Sequence, residues 1–130
     1  MSIFGGVHLA NENETLLTAS MLMLSSLIIV APFILTRRIF LSWGFHAGWN
    51  FMQAGVFGML NSGIAFKGWL VSEVTGPHWI TGGPVGIEGS PISVVIDVAV
   101  GIALIVYASK RGMIVAPKWR RKTLSVADTP

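Results

Sequence analysis

The sequence predicts an all-α integral membrane protein with three transmembrane spans and a partial membrane helix at its N-terminal end. Three observations carry that prediction. Only 12% of the 130 residues are charged while 52% are apolar, whereas soluble domains carry roughly a quarter charged residues. Mean hydropathy is +0.68, and the apolar residues gather in uncharged runs long enough to cross a bilayer. The basic residues lie at the ends of those runs, so the net charge of +3 reads as a topology signal and not as a nucleic-acid surface. The lack of cysteine excludes disulfides, thiolate metal sites and a cysteine nucleophile. A chain of this length holds one membrane unit and no second domain.

Residues 1–10 are apolar, yet at 1.5 Å per residue they reach only about 15 Å. They lack the basic start and small-residue cleavage pattern of a secretory signal. Asn11, Glu12, Asn13 and Glu14 supply capping groups and acids for the helix that follows. The first span is expected over residues 15–36, kinked by Pro32 and closed by Arg37 and Arg38. The second is expected over 39–60. Residues 61–90 read as a loop rich in glycine and proline. The third span is expected over 91–110, with Ser90 as N-cap and Pro91 in the first turn. Residues 113–130 form a basic tail with Lys118, Arg120, Arg121 and Lys122. The positive residues after spans one and three place those ends in the cytoplasm and the 61–90 loop outside. Trp69 and Trp79 then belong to the outer interface, and Trp43, Tyr107 and Trp119 to the inner one.

The second span carries His46, Asn50 and Gln53. At 100° per residue, positions 46, 50, 53 and 57 fall within about 60° of arc. Gly44, Gly48 and Gly55 lie on the opposite side, with Gly44 and Gly48 forming a GxxxG packing face. The expectation is a helix central in its bundle, its polar stripe turned to an internal cavity. A lone polar residue there reads as interhelical hydrogen bonding, worth about 0.6 kcal/mol. Three on one face make a site as much to be expected as that bonding, and His8 in a second apolar segment shifts the balance toward a site. Two imidazoles and an amide in a membrane cavity suit a metal, a water or an oxyanion.

Phe4-xxx-His8, followed one span later by His46-xxx-Asn50, resembles the second and third motifs of the CPBP family. These are the CAAX prenyl protease and bacteriocin-processing intramembrane proteases. The context is similar: Gly44-Phe45-His46-Ala47-Gly48-Trp49-Asn50-Phe51, then Gln53, Phe57-Gly58 and Ser62-Gly63. Residues 75–83 and Gly86-Ile87-Glu88-Gly89 resemble the loop that follows in many bacterial members. The resemblance covers most of residues 1–108 and casts 1–112 as the C-terminal part of the domain, in a bacterial plasma membrane. It implies an endopeptidase acting on peptides or proteins within or at the bilayer. His8 would help activate a water, His46 and Asn50 would hold the oxyanion, and Phe4 would pack behind His8. Whether a divalent metal such as zinc takes part is left open by the resemblance.

One departure bears on activity. The family's Glu-Glu-xxx-Arg motif, which precedes Phe-xxx-His, has no counterpart among Glu12, Glu14, Glu73, Glu88, Asp97 and Asp128. The chain thus reads as a fragment, a late start or a degenerate member, inactive alone for want of a general base. It would then need further N-terminal helices or a second copy of itself. The alternative class is a catalytically silent membrane scaffold or binding protein. Asp97 and Glu88 are assigned structural roles, as an interfacial acid and a loop cap. The Gly82-Gly83-Pro84-Val85-Gly86 run lacks the strand and Lys-Ser/Thr of a phosphate cradle.

Overall fold

The computed structural model describes residues 2–11 and 13–115, apart from the side chains of Ser2, Phe4 and Gly5. Glu12, Trp119, Asp128, the basic tail and the packing expected of Phe4 lie outside the described residues. Among the described residues six α-helices follow one another: α1 (Ser2–His8), α2 (Leu16–Ser25), α3 (Leu27–Thr36), α4 (Ile39–Asn50), α5 (His78–Thr81) and α6 (Pro91–Lys110). A π-helix over Phe51–Val56 prolongs α4, and two 3₁₀ turns, Gly83–Val85 and Ile87–Gly89, lead from α5 to α6. No strand occurs among the described residues beyond an isolated bridge between Asn61 and Ile64.

Local chemistry accounts for the helix ends. Thr15 caps α2: its hydroxyl accepts from the Thr18 N–H while the Thr18 hydroxyl takes the Thr15 N–H. Glu14 buttresses that box by accepting from the Thr18 hydroxyl at 2.5 Å, so the cap is Thr15 rather than the polar residues before it. Ser26 marks the joint between α2 and α3, although its N–H still bonds the Leu22 carbonyl at 2.9 Å and its carbonyl accepts from the Val30 N–H at 3.0 Å, and α3 runs on through Pro32. Consecutive serines are a recognised break point, and the Ser26 hydroxyl bonds the Met23 carbonyl at 2.6 Å. Ser90 caps α6 by accepting from the Ser93 N–H at 3.1 Å, with Pro91 in the first turn as the sequence predicts.

Two stretches, Leu16–Thr36 and Pro91–Lys110, are long and apolar enough to cross a membrane. The expected second span falls short of that description. Its helix stops at Val56 instead of residue 60, and His46, Asn50 and Gln53 dilute its apolar character. The core is the crossing of α6 over α2 and α3, where Ala19, Leu22, Ala31, Val94 and Ala108 are buried. Gly101 makes that crossing close: a Cβ there would sit 2.8 Å from the Leu27 Cγ.

The GxxxG face of α4 is a correction. Nothing lies within 4 Å of a Cβ built on Gly44 or Gly48, and both are exposed. Among the long helices α4 packs chiefly on α3. It therefore stands at the edge of the bundle among the described residues, because Gly101 and not Gly44 or Gly48 provides the close helix approach.

Candidate functional site

The loop end of the bundle is assembled by backbone groups that the helices leave unpaired. The carbonyls of Gly55 and Val56, at the end of the π-helix, accept from the N–H groups of Trp69 and Leu70 at 2.9 and 2.8 Å. Gln53, 3% exposed, donates from Nε2 to the Leu60 carbonyl at 2.5 Å. Gly86 adopts φ +104°, and a Cβ there would lie 2.5 Å from that same carbonyl oxygen. Gln53 and Gly86 thus fold the 57–62 turn against the 3₁₀ turns. Gly63 N–H reaches the Val85 carbonyl at 2.8 Å. On the other side, Asn11 Nδ2 donates to the Ser62 carbonyl at 3.1 Å, which ties the turn after α1 to the same corner.

These ties bring His8 to α4. His8, at the end of α1, and His46, in mid α4, line one cavity of about 260 Å³. Its apolar wall comes from Leu22, Ile28, Ile29, Phe45 and Ile96, and its polar wall includes Ser25, Ser62, Glu88 and Asp97. The sequence reading expects the stump to fold back beside the second apolar segment, and α1 packs against α2 with its histidine turned into this shared space.

Asn50 is placed differently from His46. It is not among the residues lining the cavity. Its Nδ2 lies 3.4 Å from His46 Nε2, and its Oδ1 accepts from Asn61 Nδ2 at 3.2 Å. That chain directs the Asn50 amide nitrogen at the ring and makes His46 Nε2 the acceptor. An Asn50 amide so assigned pairs with the ring tautomer that carries its hydrogen on Nδ1. Gln53 leaves the stripe, because i→i+5 winding from residue 51 onward breaks the α-helical phase and sends its side chain into the 57–62 turn.

Two carboxyl groups given structural roles from sequence also line the cavity, Glu88 and Asp97. Glu88 Oε1 accepts both the backbone N–H and the hydroxyl of Ser62, the latter at 2.7 Å. Burial raises the Glu88 pKa above the ordinary glutamate value, against the opposing pull of the Ser62 hydrogen bonds, the Trp49 indole and the charge of His8. The signal for Glu88 in the sequence was its place in a constrained glycine-flanked turn beside Ser90. Its partner Ser62 lies 26 positions away in sequence, and nothing local announces it.

No three His, Cys, Asp or Glu side chains are grouped to hold a metal ion among the described residues. Histidines 8 and 46 by themselves fall short of the three protein ligands that catalytic zinc takes. A second cavity of about 300 Å³ lies under the loop, bounded by Leu60, Ser72, His78 and Thr81. Comparisons with protein-family models, with curated proteins and with solved structures found no match to the chain.

Proposed function

We propose that the chain carries the histidine half of an intramembrane endopeptidase site of the CPBP, or type II CAAX prenyl protease, kind. The observation that supports this reading is the shared cavity. Two imidazoles from distant segments line one space, with apolar side chains on one wall and Ser25, Ser62, Glu88 and Asp97 on another, and Glu88 is held there by Ser62. In that reading a water in the cavity gives a proton to His8 as its oxygen adds to the peptide carbonyl. The oxyanion takes a hydrogen bond from His46 Nδ1, with Asn50 fixing the ring from behind. The proton then passes from His8 to the departing amine as the C–N bond breaks.

The setting in this reading is a bacterial plasma membrane, with residues 16–36 and 91–110 spanning, the second expected span (39–60) returning the chain to the outer side between them, and the C-terminal end cytoplasmic. Only 33% and 11% of those two segments are buried. Apolar helices so little covered suit lipid better than the core of a water-soluble domain. The substrate is a peptide or protein segment at the bilayer, and further helices or a second copy complete the general base. A second reading, a membrane scaffold without catalysis, is favoured by the uncovered Gly44 and Gly48 face.

The two readings separate on cleavage of membrane-anchored reporter peptides by native membranes containing the chain. The endopeptidase reading expects activity that His46→Ala lowers by roughly 10²–10³, the usual effect of losing an oxyanion donor. Cleavage indifferent to both His8→Ala and His46→Ala contradicts it, and no cleavage in any assembly favours the scaffold.

A further inference from the structure

Glu88 is the acid of the cavity with the most definite anchoring. One carboxylate oxygen is held by two donors of Ser62, from backbone and hydroxyl. The backbone that carries Glu88 is itself fixed, since Ser90 N–H bonds the Ile87 carbonyl at 3.1 Å and the Ser93 hydroxyl bonds it at 2.7 Å. Ser62 is pinned in turn by Asn11, three residues beyond His8. The same corner therefore positions both His8 and the carboxyl group, and both face one cavity. Titratable groups that line the cavity with His8 come from three elements: His46 from α4, Glu88 from the 87–89 turn and Asp97 from α6. The α2 wall adds Leu22 and Ser25, neither of which titrates.

We propose that Glu88 is the carboxylate partner of His8, a positioning residue that orients the imidazole and balances its charge when it takes a proton. This rests on the reading of the cavity as a water-activating site, and it supplies within this chain a carboxyl group that the sequence motifs alone do not provide. No atom is transferred to Glu88. The proton resides on His8 between water and leaving amine, and the carboxylate lowers the cost of that imidazolium. A carboxylate beside a histidine raises ligand or base strength by this means in many sites.

The test is the carboxyl ¹³C titration of Glu88 in the full chain in detergent micelles. His8→Gln removes the positive charge facing Glu88 and should move its midpoint further up, while His46→Gln should leave it in place. His8→Asn gives the same reading should the glutamine variant not fold. An unmoved midpoint in the folded His8 variant, or an equal shift in His46→Gln, overturns the pair. In any assembly that cleaves peptide, Glu88→Gln should cut kcat at least tenfold and flatten the acid limb of the pH profile, with KM little changed. Glu88→Gln keeps an oxygen to accept from Ser62, so a merely structural role predicts an unaltered profile. Coupling without cleavage supports the pair and fails the endopeptidase reading, whereas cleavage without coupling fails the pair.

Discussion

At the scale of single residues, Glu88 makes the clearest pH statement. Burial raises its folded pKa, so the folded chain holds the Glu88 proton more tightly than the unfolded chain does. Its stabilising contribution is complete below the ordinary glutamate range and is lost as pH rises through the raised value. The stability of the protein relative to Glu88→Gln should therefore decline between acid and neutral pH, read from thermal unfolding at a series of pH values. A relative stability that increases over that interval contradicts the assignment. Asn50 makes a different statement. Because its amide holds the His46 ring and is itself held by Asn61, Asn50→Ala should unfasten both. The loss is expected to be about 1–3 kcal/mol, measurable by chemical unfolding.

The residue scale also separates what sequence shows from what it hides. His8 and His46 stand out because a polar ring inside an apolar run is costly, and the structure puts both on one cavity. Glu88 and Asp97 do not stand out. An acid in a glycine-rich turn or near a helix start has ordinary local explanations, and only its three-dimensional meeting with Ser62, on the cavity that His8 also lines, gives Glu88 its setting. Gln53 misleads for a related reason: its α-helical phase is correct until the winding changes at residue 51.

At the scale of elements, the helix ends were legible because capping is local. Ser90 and Pro91 announce α6, and Ser90→Ala should cost about 1 kcal/mol, visible as a lowered unfolding midpoint. Helix pairing was less legible, since GxxxG at 44 and 48 and the single Gly101 look alike as small residues. The contacts decide between them. Gly101→Leu must displace Leu27 and should destabilise by about 1–3 kcal/mol, whereas Gly48→Leu meets open space and should change the stability of this chain by under about 0.5 kcal/mol. Equal destabilisation by the two would show that the face of α4 is packed after all. The helical turns within 61–90 are not legible in the sequence, because α5 and the two 3₁₀ turns are too short to carry a periodic pattern.

At the scale of the whole molecule, the ends of α3 and α6 lie together. The Arg37 guanidinium donates to the Val115 carbonyl at 3.3 Å, and Arg111 stacks over the Tyr107 ring at 5.4 Å from its centre. The loop residues and Asn11 gather at the other end. Combined with the positive-inside rule, this arrangement expects a reporter fused after Pro130 to read cytoplasmic and one inserted near Gly82 to read external. The reverse pattern would invert the topology without altering the cavity.

The shared cavity brings together His8 and His46, which belong to segments separated by α2 and α3 in sequence. The cysteine-free chain allows a clean measurement of it. In a His8→Cys, His46→Cys double variant, a bifunctional thiol reagent spanning about 10 Å, the reach of one water or carbonyl with a hydrogen bond of about 3 Å on each side, should join the two positions within one chain in membranes. Efficient intramolecular linking, absent when His46→Cys is paired with Arg38→Cys in place of His8→Cys, is the result the shared cavity predicts. Cysteines that label freely yet never link, or that are reached by impermeant reagents from opposite sides of the membrane, would contradict it.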